Sequence, residues 1–230
     1  MLLGLDRPRY GDLVEGINGL VVYAPCDDRS GSIVDTKLGS SRGAVTGTVR
    51  YGTRTATPRA ATPSLEFTGV VGTAVSGTST LLPSNGTDDW TIFAWVLMPT
   101  TVTANSSMLF GFGRANQLTG SKRYFIRFNS RVYFWGDNAD VQGSVDYDIG
   151  RPQLIAATRN SSGVVTVYKN GISIGSATRT MVNTLQTWEL ARRPYFNTTV
   201  NLAAHIAHFG VVNRTMTANE LRWLYQEGVA

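Results

Sequence analysis

The chain has 230 residues, 42% of them hydrophobic and only 16% charged, with 24 glycines and a net charge of +5. That balance supports a packed core and excludes a largely disordered chain. One cysteine, Cys26, excludes an intrachain disulfide, and the leucines at the start are followed at once by Asp6, Arg7 and Arg9, so neither a signal peptide nor a membrane-spanning segment is expected.

Residues 1–18 show no clear period and read as an N-terminal arm, with one folded domain at 19–230. Leu2, Leu3, Leu5 and Tyr10 are costly to leave in water, which makes them candidates for docking on a partner. Gly19 to Ala24 is the first strand, and a polar loop through Ser32 leads to Ile33 and Val34. Ala44 to Tyr51 alternates weakly, as one edge strand would. Arg54 to Pro63 is rich in Thr, Ala and Pro and reads as loop. Ser64 to Thr68 is a strand with Leu65 and Phe67 on one face.

Asp88 to Met98 is the longest nearly unbroken apolar run, bounded by Pro83-Ser84-Asn85-Gly86 and by Pro99. Such a run fits a strand covered on both faces, with Trp90, Ile92, Ala94, Val96 and Met98 on one side and Thr91, Phe93, Trp95 and Leu97 on the other. Ser107 to Phe112 is another strand. Tyr124 to Phe128 and Val132 to Trp135 form a hairpin around Asn129-Ser130-Arg131, with Tyr124, Ile126 and Phe128 on one face. Gln153 to Thr158 and Val164 to Lys169 form a second hairpin, and Asn170-Gly171, a turn pair that accepts positive φ, leads into Ile172 to Ser176. Trp188 to Leu190 and Leu202 to Val212 supply the last strands. The one good helix follows Thr217-Ala218-Asn219-Glu220, a capping box, with Met216 and Leu221 as a hydrophobic staple and Gly228 placed to end it. Short strands at regular spacing with Gly and Asn turns predict an all-β, two-sheet antiparallel sandwich with a short C-terminal helix.

The order of these segments resembles the concanavalin A-like, laminin-G-like jelly-roll family. The residues that carry the resemblance are Gly19 to Tyr23 with Asp27 to Asp35, Leu65 to Gly69, the aromatic strand Trp90 to Val96, the hairpin Val167 to Gly175, and His208 to Tyr225. The resemblance implies two stacked antiparallel sheets. It implies function only loosely, because the fold hosts lectins, adhesion modules, glycanases and virion proteins.

Glycanases on this fold resemble one another in a tight acidic cluster on one strand, since glycoside hydrolysis needs two carboxyls across one bond. Here the glutamates 15, 66, 189, 220 and 227 each stand more than two residues from another acid, and no enzyme is expected. Family members often bind calcium through acids at positions that match Thr68 and Ala207, so no cofactor is expected. Asp137 and Asp140 form a weaker candidate metal site of their own. His205 and His208, three apart on a strand, should face opposite sides and not share an ion. Lys122, Arg123, Arg127, Arg131 and Arg192-Arg193 read as solvated edges and loops, without the motifs of a nucleic-acid binder.

Aromatic side chains that could stack on sugar rings are Tyr133 and Trp135 on one hairpin face and Trp188, Tyr195 and Phe196 in the late segments. The leading functional expectation is a non-enzymatic structural and binding protein of a phage virion, a minor tail or capsid decoration protein, that contacts host-surface carbohydrate. Stand-alone domains of this family with no signal peptide resemble such proteins. Its expected partners are other virion proteins through the arm, a cell-surface glycan and, as an open alternative, a second copy of the chain, with neither nucleic acid nor membrane. A virion location follows, with synthesis in the host cytoplasm. The alternatives are a carbohydrate-binding adhesion domain of a cellular protein and a divergent glycan hydrolase.

Overall fold

The computed structural model describes residues 8–31, 33–34, 43–52, 56–57, 63–70, 72–99, 107–113, 120–191 and 203–230. The elements, in chain order, are α1 (Tyr10–Glu15), β1 (Leu20–Ala24), β2 (Ile33–Val34), β3 (Gly43–Thr46), β4 (Val49–Tyr51), β5 (Leu65–Thr68), β6 (Ala74–Thr78), β7 (Trp90–Leu97) and β8 (Ser107–Phe112). Then come β9 (Arg123–Phe128), β10 (Arg131–Trp135), β11 (Val141–Asp146), β12 (Pro152–Arg159), β13 (Val164–Lys169), β14 (Ile172–Thr178), β15 (Thr187–Leu190), β16 (Ala203–Val212) and α2 (Ala218–Val229). No helix among the described residues is long and apolar enough to cross a membrane.

The strands form two antiparallel sheets. The first runs β14-β13-β12-β7-β16-β5-β4, with β1 also paired to β16. The second runs β11-β10-β9-β8-β15-β6-β3-β2. Every residue of β7 is buried, as its sequence demands. Alternation along the strand divides its side chains between two apolar layers. Trp90, Ile92, Ala94 and Val96 enter the layer between the sheets with Phe110, Phe125, Phe134, Trp188 and Phe209. Phe93, Trp95 and Leu97 enter a second layer, closed over the outside of the first sheet by Tyr10 and Val14 of α1 and by Leu221 and Leu224 of α2. Trp90 stacks near Phe134 at 5.5 Å, while the Trp95 indole N–H donates to the Tyr10 hydroxyl at 2.8 Å and its ring stacks on Tyr225 at 5.7 Å.

Several sequence expectations change here. Tyr10 and Val14 belong to the domain's own core, so the packed region starts upstream of residue 19 and Tyr10 is not free for a partner. Leu2, Leu3 and Leu5 lie outside the described residues. The stretch 44–51 is two strands, not one. It turns at Gly47 (φ +73°), and β3 joins the second sheet while β4 joins the first. The short strands β6 and β11 and the helix α1 carried too few apolar residues to be seen in the sequence. The helix α2 does begin with the Thr217–Glu220 capping box. Gly228 does not stop it, because α2 continues to Val229; a Cβ at 228 would run into the Trp95 ring, so its glycine is needed for close packing.

Trp188 is fully buried between the sheets, 5.6 Å from the Phe209 ring. It lies over Gly77, where an added Cβ would stand 2.6 Å from the indole. Side chains alternate on β15, so Trp188 and Leu190 point inward and Glu189 outward. The sequence reading of Trp188 as a sugar-binding residue is thereby corrected: it is a core residue.

His208 breaks the alternation assumed for the histidine pair. It sits at φ +51°, where the register of β16 against β7 shifts between Ala207 and Gly210, as at a β-bulge. Its imidazole is 1% exposed, 2.6 Å from the Tyr23 hydroxyl at Nδ1 and 4.7 Å from the Tyr10 ring centre. Nε2 is buried with no hydrogen-bond partner. His205 instead lies 3.5 Å from Ser64 Oγ. Burial lowers the His208 pKa from 6.5 to about 3, so the ring is neutral in the folded protein.

Two stability outcomes follow. Between about pH 6.5 and pH 3 the unfolded chain binds a proton at His208 that the folded chain refuses, so stability is full above pH 6.5 and falls on acidification. Urea unfolding should show this contribution as a loss of up to about 1.4 kcal/mol per pH unit below that point, and His208→Asn, which suits a positive φ, should flatten the slope. Trp188→Ala should cost about 3–5 kcal/mol in the same assay through the cavity it leaves. A loss under about 1 kcal/mol would contradict its place in the core.

Candidate functional site: the outer face of the second sheet

The two helices cover the middle of the first sheet's outer face, around Trp95, and among the described residues no helix lies on the outside of the second sheet, which is the face to read for function. Its side chains follow from strand alternation. On β9 and β10 the inward residues are Phe125, Val132 and Phe134, so Tyr124, Ile126, Phe128, Arg131, Tyr133 and Trp135 point outward. The cross-strand register sets Tyr133 opposite Ile126, Trp135 opposite Tyr124 and Arg131 opposite Phe128. The tight turn that permits this register has Asn129 at φ +47° and Ser130 at +70°.

This face has a closed part and an open part. In the closed part Tyr124 is fully buried and donates its hydroxyl proton to Glu189 Oε2 at 2.8 Å. Glu189 is 1% exposed, so the carboxylate is shut away from solvent. Next to it the Lys122 ammonium lies 2.6 Å from Asp137 Oδ2 and 4.3 Å from the centre of the Trp135 ring. One face of Trp135 is thus occupied by a cation of the same chain.

In the open part Phe128 is 41% exposed and its ring centre is 5.5 Å from that of the half-buried Tyr133. The Tyr133 hydroxyl donates to Asp140 Oδ2 at 2.9 Å, and Asp140 Oδ1 accepts from the Gly136 N–H at 2.8 Å. Burial, together with the Asp140 hydrogen bond and charge, pushes the Tyr133 pKa up to about 12, so the phenol stays protonated and its ring is held in one orientation. Exposed Gln142 and Ser144 flank the pair on β11, and Arg131 is paired with Asp146 at 3.2 Å.

Of the sugar-binding candidates read from the sequence, Tyr133 and Trp135 do share this face, Trp188 does not, and Tyr195 and Phe196 lie outside the described residues. Phe128 joins them only through the hairpin register, although its parity with Tyr124 and Ile126 was already legible. Asp137 and Asp140 do not act as a free metal pair, because their oxygens are engaged by Lys122, Tyr133 and Gly136. Among the described residues no three His, Cys, Asp or Glu side chains gather as a metal cluster. Ala207, where the family resemblance asks for an acid, is fully buried in the apolar layer under the helices. The basic group is corrected too. Lys122, Arg123 and Arg127 are buried, and Arg123 ties loops together by donating to the carbonyls of Asn85 and Val182. Burial and the neighbouring Arg159 lower the Arg123 pKa to about 10.

The sheet architecture has counterparts among solved structures. A Trypanosoma rangeli sialidase in complex with sialic acid matches with a TM-score of 0.69 and 14% identity over 93% of this chain and 34% of its own. The receptor-binding domain of a botulinum neurotoxin C/D mosaic serotype matches at 0.69 and 12%, over 91% of this chain and 51% of its own. Domain 4 of an extracellular arabinanase from Geobacillus stearothermophilus, in complex with arabinotriose, matches at 0.64 and 16%, over 90% of this chain and 98% of its own. The chain therefore spans about a third of the sialidase and half of the toxin domain, but nearly all of the arabinanase domain. At these identities the likeness is one of fold. No curated protein matches by sequence. The model of one family matches residues 49–222, three quarters of the chain, and the two sheets are those that this match calls for: the protein belongs to the concanavalin A-like lectin/glucanases superfamily.

Proposed function

We propose that this protein is a non-enzymatic carbohydrate-binding module whose ligand lies on the Phe128–Tyr133 platform. The observation that carries the reading is the partly exposed ring pair itself. Two aromatic rings, 5.5 Å apart, stand on the open part of the face with polar Gln142 and Ser144 beside them. Apolar ring faces for the C–H side of a sugar and polar groups for its hydroxyls are what a saccharide site needs. The toxin domain and the arabinanase domain that share the fold, by their descriptions a receptor-binding domain and a domain complexed with arabinotriose, support this choice over other ligand classes. The buried Glu189, engaged by Tyr124, supports a binding role over hydrolysis, which needs two carboxyls reaching one bond.

The setting that we propose with it is a phage virion, as a minor tail or capsid decoration protein joined to other virion proteins through the N-terminal residues. The support is chemical. The core closes around a single buried thiol, Cys26, so the domain can fold in a reducing host cytoplasm and still serve outside the cell.

Glycan-array screening followed by calorimetry tests the binding role. Tyr133→Ala and Phe128→Ala should each weaken binding at least about tenfold while leaving stability within about 1 kcal/mol, because both side chains are partly exposed. Binding that survives both changes would refute the site. For the setting, the protein should co-purify with particles, and deletion of residues 1–7, which spares Tyr10 and Val14, should release it. Its absence from purified particles would refute the virion role.

A further inference from the structure

The chain carries a net charge of +5, yet the surroundings of the platform are electrically balanced. Arg131 is paired with Asp146 at 3.2 Å, Lys169 with Asp148 at 2.8 Å, and Lys122 with Asp137 at 2.6 Å. The remaining carboxylate, Asp140, accepts from Tyr133 and Gly136, and Arg179 donates to the carbonyl of the same residue at 2.7 Å. Three of these cations are thus paired with carboxylates, and Arg179 and Asp140 add one charge of each sign. Arg131 is further spent on the Ser144 carbonyl and Lys169 on that of Asp146, at 2.7 Å.

We propose that the Phe128–Tyr133 platform selects an uncharged oligosaccharide. This inference rests on the carbohydrate-binding reading and names its ligand class. An anionic sugar would gain from an excess of positive charge at the platform, whereas the charges beside the rings are matched in sign and each guanidinium or ammonium there already serves a carboxylate or carbonyl. Turning one toward the ligand would give up a contact that it already makes. A cationic sugar meets the converse obstacle at Asp137, Asp140 and Asp146. A neutral sugar asks only for ring faces and for hydrogen bonds of the kind that Gln142, Ser144 and the Tyr133–Asp140 pair can make without breaking an existing one. Asp140 acts here as a positioning residue, because it fixes the Tyr133 ring through the phenol.

The test uses the full chain and three sets of probes: neutral pentose and hexose oligosaccharides, uronate or sialylated oligosaccharides, and sulfated oligosaccharides. Calorimetric titrations are made at low and at high salt, on the wild type and on Tyr133→Ala and Tyr133→Phe. The expected result is binding of a neutral oligosaccharide with an affinity that changes less than about threefold with salt. It should be lost with Tyr133→Ala and weakened, not abolished, with Tyr133→Phe, which keeps the ring but not the bond to Asp140. Binding that depends on Tyr133 but prefers an anionic probe and falls steeply with salt would overturn this inference and leave the carbohydrate site standing. Absence of binding to every probe, or binding indifferent to Tyr133→Ala, would overturn the carbohydrate reading itself and this inference with it.

Discussion

The structure depends on a strand that water must not touch on either side. β7 has Trp90 on one face and Trp95 on the other, and both indoles are fully buried. A sandwich of two sheets can cover only the inner face of such a strand. The outer face therefore needs a third layer, and the chain supplies it with two helices from its opposite ends. Tyr10 from α1 meets the Trp95 indole N–H, Tyr225 from α2 stacks on the same ring, and Gly228 lets α2 approach it. The helices α1 and α2 meet there because both cover one tryptophan.

That cover decides where function can sit. With the helices on the first sheet, the outer face of the second sheet is left for a ligand. Its middle is then closed by its own chemistry, as Tyr124 takes Glu189 and Lys122 takes both Asp137 and the Trp135 ring. What stays open is the end of the β9–β10 hairpin, where Phe128 and Tyr133 stand together. The turn at Asn129 and Ser130 sets the register, and the register makes these two rings neighbours.

The same economy governs the buried polar groups. Arg123 sits beside the Phe112 ring and donates to loop carbonyls. Such a side chain ties loops that have few apolar residues of their own. His208 is less well served. It has the Tyr23 hydroxyl at one nitrogen and no partner at the other, and it occupies the bulge that divides β16 into a half paired with β5 and a half paired with β1. At the N-terminus of α2 the Arg214 side chain, with help from Thr217, holds the Glu220 carboxyl down to about pKa 2, and this joins the last strand to the helix cap.

Local chemistry made part of the fold legible in the sequence. The doubly buried strand, the Asn170–Gly171 hairpin, the parity of the β9–β10 hairpin and the α2 capping box all follow from period, turn residues and caps, and their order carried the family. It did not disclose β6, β11 or α1, which are too short and too mixed to show a period. Nor did it place Trp188, Gly228 or the buried lysine and arginines, since an indole or a cation reads the same in a chain whether a sheet covers it or water does. Which face the helices cover, which charges meet across strands, and which rings of the β9–β10 hairpin reach solvent were settled only by the tertiary fold. Those outcomes depend on contacts between residues far apart in the chain, and local pattern holds no record of them.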